Sequence, residues 1–253
     1  MTPQIPGYVL SLESILRPLV MTIELGLIWL GAARMPTSAK SRYTTAGVLS
    51  VAFIGWEAVA RYLGAANTYL ATIENLPAVP TILFGLLIPL AVAAIALWRS
   101  ESIARLVSAI PLHWLVAAQV YRVGGGIFLA LWADGRLPWQ FALPAGIGDV
   151  TTGVVAVVVV AARLARNAIG AHSATYAWCL FGIADLVVAI AMGAMTSPGQ
   201  AHLLALEAPN LLMTAYPLVM VPTFAVPLAL MLHGLVLLRL RRGAAATGRL
   251  AAA

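Results

Sequence analysis

Residues 79–98, VPTILFGLLIPLAVAAIALW, form an apolar run without a single charged side chain. A helix needs about 20 predominantly apolar residues to cross the hydrocarbon core of a bilayer. This run has that length, and it ends at Trp98, whose amphipathic indole favours the membrane interface. The stretch therefore predicts a transmembrane helix, and with it an integral membrane protein.

Six more apolar runs lie on either side of this one. Together they predict an all-α bundle of seven transmembrane helices in one domain, 1–253, with spans at about 15–33, 43–64, 79–98, 111–132, 141–162, 174–195 and 216–238. Between the third and fourth spans, residues 100–110 are partly amphipathic, so we expect them along the membrane surface. Residues 243–253 are rich in small side chains and are expected to be a disordered tail.

The composition excludes an ordinary soluble protein. Of 253 residues, 62% are hydrophobic and 9% are charged, whereas a soluble domain carries roughly 25% charged residues. The formal net charge of +6 comes from basic residues scattered over short connections, which argues against nucleic-acid binding. Cys179 is the only cysteine, so neither a disulfide within the chain nor a thiolate metal cluster is expected.

The basic residues predict the orientation of the bundle. Of the basic residues in the predicted connections or near the span ends, two fall on one side, Arg17 and Arg136. Eleven fall on the other: Arg34, Lys40, Arg42, Arg99, Arg105, Arg163, Arg166, Arg239, Arg241, Arg242 and Arg249. Basic residues accumulate in cytoplasmic loops. We therefore expect the N-terminus outside, the C-terminus in the cytoplasm and the protein in the cell (inner) membrane.

The first and last three spans are consistent with a parallel 3+1+3 repeat around the fourth. The third and seventh spans both begin with Val-Pro-Thr, at 79–81 and 221–223. The same alignment pairs acidic residues of the other spans, Glu24 with Asp149 and Glu57 with Asp185. Parallel repeats occur in several transporter families, although a low-complexity apolar chain also produces such matches by chance.

Four ionisable residues share one predicted depth near the membrane midplane: Glu24, Arg122, Asp149 and Asp185. Each lies roughly 12–15 Å from the outer end of its span, at a rise of about 1.5 Å per residue. Three acids and one base leave excess negative charge, which a proton, a bound cation or water must relieve. Two interpretations stay open, an ion-pair cluster that only fixes helix packing and a proton- or ligand-binding site.

Glycines and a proline accompany this cluster in the sequence. Residues 141–149 contain Pro144, Gly146 and Gly148, which predicts a broken backbone lining a cavity, with Asp149 where an outer vestibule meets a helix start. Three glycines at 124–126 allow close backbone approach one turn from Arg122.

Two further pairs of polar residues are candidates for structure or binding. Glu57 and Arg61 have the i,i+4 spacing of a salt bridge on one helix face, which favours a structural pair near the outer interface. His113 and His233 both lie near inner span ends, where they are either interfacial hydrogen-bonding residues or the two axial ligands of a haem b. No other sequence pattern predicts a metal site.

Gly146-Ile147-Gly148-Asp149 resembles the GxGD motif of intramembrane aspartyl proteases, which pair this aspartate with a second one on a neighbouring helix. The resemblance implies that Asp185 supplies the partner carboxyl group. It covers four residues and departs from the family, because the second aspartate follows the motif here and no PAL motif is present. Retinal proteins are excluded, since the single lysine, Lys40, lies in a predicted loop.

These residues favour a membrane carrier or channel-like protein for a small solute or protons. Asp149 and Asp185 are its candidate binding acids, Arg122 their counter-ion and Glu24 an auxiliary acid. The alternatives are a membrane-embedded enzyme that uses the same carboxyl groups on a lipid or peptide, and a non-catalytic accessory protein. The predicted partners are the lipid bilayer and the small solute or proton.

The predicted orientation can be tested with reporter fusions. Reporters in the 34–42 loop and at the C-terminus should be active in the cytoplasm, and a reporter beside Arg136 should be active outside. Two chain ends that report the same compartment would contradict the count of seven spans.

Overall fold

A computed structural model describes residues 3–72 and 81–251, with side chains through Arg242. No strand occurs in these ranges, and seven helical spans are long and apolar enough to cross a membrane: Gly7–Arg34, Ala39–Ala65, Thr81–Arg99, Leu112–Ala133, Trp139–Ala165, Ala171–Thr196 and Val221–Arg242. The predicted seven-helix bundle is confirmed.

The ends of the first and last helices differ from the prediction. The first helix begins at Gly7, because Pro6 has an extended backbone that caps it, and this earlier start brings Glu13 into the helix with Arg17. The last helix continues to Ala251, where disorder was predicted, because the tail is rich in alanine, the strongest helix former.

The predicted repeat aligns the Val-Pro-Thr start of the third span with that of the seventh span. Val79 and Pro80 lie outside the described residues. The correspondence between the two halves therefore stays a prediction.

A short helix, Glu101–Ala109, connects the third and fourth spans, as the amphipathic pattern of residues 100–110 predicts. Ser100 caps it, since its hydroxyl accepts a hydrogen bond from the Ile103 amide at 3.3 Å. The helix packs on the first span at Gly31, where a Cβ atom would come within 2.8 Å of the Ile110 side chain. Its last carbonyls accept bonds from the seventh span, because Arg239 donates to Val107 and Ile110 at 2.8 Å each.

Contacts between connections define two faces of the bundle. The arginine-rich face carries the Arg34–Arg42 loop, the short helix and the last turns of the seventh span. On the opposite, arginine-poor face, Tyr8 donates to Asp134 at 2.6 Å, and residues 197–220 fold across the bundle so that Thr214 accepts from the Ala71 amide at 3.2 Å. The N-terminal segment and the last helix therefore end on opposite faces.

Three spans change their helical winding within the bundle. The fourth span is a 3₁₀-helix over Ala118–Gly125, and π-helical turns occupy Ala156–Ala161 in the fifth span and Val221–Ala225 in the seventh. The predicted break at 141–149 is wrong, because the α-helix Trp139–Val155 runs through it. Pro144 removes one backbone donor without ending the helix, and the winding changes instead a turn beyond Thr152.

Candidate functional site

Arg122 connects two aspartates in the interior of the bundle. Its Nε donates to Asp149 Oδ1 at 2.7 Å, and its Nη2 forms an ion pair with Asp149 and another with Asp185. The Arg122 side chain is 2% exposed, against 17% for Asp149 and 7% for Asp185. The structure thus brings together three of the four ionisable residues that share one predicted depth.

His233 completes this cluster from the seventh span. Arg122 Nη1 lies 3.3 Å from His233 Nε2 and donates to the Gly182 carbonyl at 3.4 Å. A guanidinium can only donate, so Nε2 is the acceptor and the ring proton sits on Nδ1, 3.5 Å from Cys179 Sγ. His233 is therefore a neutral imidazole, and its ring packs on Trp178 at 4.7 Å between centroids.

These contacts do not fit the predicted haem. An axial histidine must turn one ring nitrogen to the iron, but protein atoms occupy both nitrogens of His233. His113 contacts the ring of Trp114 instead of His233. In the described residues, no group of three or more His, Cys, Asp or Glu side chains is placed to hold a metal ion.

Glycines create the space for the cluster. A Cβ atom on Gly125 would overlap Asp149, one on Gly148 would overlap Asp185, and one on Gly182 would overlap the His233 ring. The predicted close approach of the fourth span thus occurs, and it brings Gly125 against the carboxylate itself. Both aspartates and the His233 ring therefore lie against a neighbouring backbone, which restricts their rotation.

Two cavities meet at Asp149. The first chamber has a volume of about 170 Å³ and extends from Glu57 and Arg61 to Arg122 and Asp149. The second chamber has a volume of about 180 Å³ and lies between the third and sixth spans, and Asp149 also lines it. Both chambers are bounded by the halves of the spans nearer the arginine-poor face, so a cavity lies beside Asp149 although the predicted helix break does not occur.

Buried side chains close the other side of the cluster. Gln119, Cys179 and His233 are 0% exposed, and Gln119 donates to the Ala229 carbonyl at 3.2 Å. Trp178 bridges to the fifth span by donating to the Thr152 carbonyl at 3.0 Å. The chambers therefore reach the cluster from one face, while packed residues separate it from the arginine-rich face.

A second charged network stands at the far end of the first chamber. Glu57 accepts from Arg17 at 2.7 Å and from Arg61 at 3.0 Å, and Arg61 also donates to Glu13 at 2.6 Å and to Tyr216 at 2.5 Å. Burial raises the pKa of Tyr216, and the charge of Glu13 raises it further, so this phenol stays protonated.

The sequence predicts the pair of Glu57 and Arg61 but not its partners. Glu13 and Arg17 repeat the Glu-x₃-Arg spacing on the first span, and the two motifs pair crosswise. This repeated spacing was the signal that could have identified the network.

Glu24 is not part of the Arg122 cluster, contrary to the prediction. It is 6% exposed, and its Oε1 is buried without a hydrogen-bond partner. Among the described residues, no ion pair joins it to an arginine. Equal depth along the membrane normal did not place its carboxyl group beside Arg122, because the rotation of the first span turns it elsewhere.

The resemblance to aspartyl proteases does not extend to the geometry. Asp149 and Asp185 meet as the GxGD motif implies, but the Arg122 guanidinium bonds to both carboxyl groups. An aspartyl dyad works by sharing one proton between two adjacent carboxyl groups. Here each carboxyl group bonds to the Arg122 guanidinium, and among the described residues no hydrogen bond joins one carboxyl group to the other.

A comparison with known families shows which part of the chain carries this cluster. Residues 76–241 match the family model described as "Domain of unknown function (DUF8737)", which covers well over half of the chain. The chain belongs to this family. The DUF8737 match contains Arg122, Asp149, Asp185 and His233, whereas the Glu-x₃-Arg motifs precede it. No curated protein and no solved structure matches the chain.

Gly148→Ala should disturb the cluster. The added methyl group would overlap the Asp185 carboxylate and should cost about 1–3 kcal/mol of stability, measured by thermal unfolding in detergent. The control is Gly126→Ala, whose Cβ would lie an ordinary 3.5 Å from Val150. Equal melting temperatures for the two variants would contradict the packing described here.

Removing the base should cost more than removing an acid. Arg122→Ala leaves two carboxylates unpaired at low dielectric and should destabilise the protein by about 3–5 kcal/mol. Asp185→Asn removes excess negative charge and should melt near the wild-type temperature. If Arg122→Ala is no less stable than Asp185→Asn, the three residues are not one electrostatic unit.

Proposed function

We propose that this protein is a carrier or channel-like protein of the cell (inner) membrane, and that it moves a small solute or protons. Asp149 and Asp185 are the binding acids, and Arg122 is their counter-ion. One observation carries the proposal, namely that Asp149 lines both chambers while it is ion-paired to the buried Arg122.

The charge of the cluster supports this proposal. Two carboxylates and one guanidinium leave a formal charge of −1, and neutral His233 adds none. Excess charge in a membrane interior is expensive and is tolerated mainly where a proton, an ion or a substrate uses it. A purely structural ion pair would balance its charges and would need no cavity at the carboxylate.

The sidedness of the cluster also supports transport. The chambers approach it from the arginine-poor face, and the layer of Gln119, Trp178, Cys179 and His233 closes it toward the arginine-rich face. A carrier exposes its site to one side at a time. We propose that the π-helical turns Ala156–Ala161 and Val221–Ala225 let these helices shift, since such turns are frequent at functional sites.

An enzyme is less well supported. An enzyme that uses the two aspartates as general acid and base needs both within reach of its substrate. Asp149 lines the chambers, but Asp185 lines neither of them. The other described acids that line them, Glu13 and Glu57, are ion-paired to arginines.

Proton flux into proteoliposomes under an imposed potassium diffusion potential tests the proposal. With the wild type, the liposome interior should acidify faster than in empty liposomes, as reported by an enclosed pH-sensitive dye. Asp149→Asn should slow this proton flux by about tenfold or more, because the carboxyl group that carries the proton is gone. Asp134→Asn is the matched control, since Asp134 lies on the arginine-poor face and bonds to Tyr8. Flux in Asp149→Asn equal to that of the control would overturn the proposed role of Asp149.

A further inference from the structure

The second chamber has the composition of a site for an apolar molecule. Leu86, Ile190 and Val226 contribute to its walls, together with the edge-packed rings of Phe128 and Phe141, whose centroids lie 5.3 Å apart. Among its described lining residues, Asp149 is the charged one. A ligand in this chamber therefore meets mostly apolar side chains and one carboxylate, together with the polar groups of Tyr69, Thr81, Ser197, Gln200 and Thr214.

The carboxylate still has capacity to bind. Both Arg122 contacts to Asp149 use Oδ1, and within the described residues Oδ2 receives no hydrogen bond. The excess charge of the cluster is negative, so Oδ2 attracts a cation and repels an anion.

Arg122 has no donor left for a ligand. Its five N–H groups point to Asp149, Asp185, the Gly182 carbonyl and His233. A substrate carboxylate or phosphate would have to displace one of these partners. The other arginines near a chamber, Arg17 and Arg61, are ion-paired to glutamates and border the first chamber, not the second.

We propose that the second chamber binds a small lipophilic organic cation, an ammonium group on an apolar body, with the ammonium at Asp149. The rings of Phe128 and Phe141 line the same chamber and offer faces or edges to the ligand, and the volume of about 180 Å³ restricts the ligand to a small molecule. This inference rests on the proposed carrier function, since it names the class of solute.

Proton and organic cation compete for the same negative charge. When the cation is bound, the cluster is neutral with both aspartates ionised; when it leaves, a proton restores neutrality. Binding of the cation therefore releases a proton, and its affinity falls as the pH is lowered. In a carrier, this site can therefore hold either a proton or the cation.

Calorimetric titration of the full chain in detergent with benzyltrimethylammonium tests the inference. We expect binding to the wild type, a Kd about tenfold or more higher in Asp149→Asn, and an unchanged Kd in the control Asp134→Asn. Phenylmethanesulfonate, which has a similar shape and the opposite charge, should not bind. Ala189→Phe fills the chamber without changing the charge, and should weaken binding while proton flux depends on Asp149 as before.

The outcomes separate this inference from the proposed function. Equal affinities in Asp149→Asn and wild type, or equal binding of the sulfonate, would overturn the ligand class. Asp149-dependent proton flux without cation binding would overturn the ligand class and leave the carrier function standing. Cation binding that requires Asp149 and weakens at low pH, without flux of protons or of the cation, would support the ligand class and overturn the carrier function.

Discussion

One guanidinium inside a membrane bundle constrains much of this structure. The N–H groups of Arg122 point to two carboxylates, a carbonyl and an imidazole, which belong to the fifth, sixth and seventh spans. A charged group at this depth persists only where it is fully bonded. The four helices must therefore approach closely at one level, and the glycines at 125, 148 and 182 are the places where they do.

The helical irregularities follow from the same constraint. The 3₁₀ segment of the fourth span contains Arg122. The π-helical turn of the seventh span lines both chambers, whereas that of the fifth span follows Asp149 by about two turns. A change of helical winding rotates the side chains after it about the helix axis, relative to those before it. One helix can then make a polar contact and pack on a neighbour with residues that a regular α-helix would place on different faces. Glu24 shows the contrast, since its span is regular and its buried Oε1 has no partner.

The two charged networks lie in different parts of the chain. The cluster of Arg122, Asp149, Asp185 and His233 lies within the DUF8737 match, and the crosswise Glu-x₃-Arg motifs lie before it, on the first two spans. The first chamber joins them. The motif network balances two acids with two bases, as an architectural contact should, whereas the Arg122 cluster keeps an unbalanced charge beside open volume. That difference, more than depth, distinguishes the candidate binding site from a structural one.

The sequence by itself determined the seven spans, the separation of basic residues between two faces, the short capped helix before the fourth span and the shared depth of the charged residues. Hydropathy and helical rise are properties of each segment alone, so they can be predicted without knowing which segments pack against it. Only the tertiary structure decided which charges meet. Rotation about each helix axis excluded Glu24, paired Arg17 with Glu57 and turned His233 toward Arg122 instead of a haem. It also carried the fifth span unbroken through Pro144, because the lost backbone bond did not outweigh the packing of the surrounding helix on its neighbours. These outcomes depend on contacts between segments distant in the chain, which local pattern does not encode.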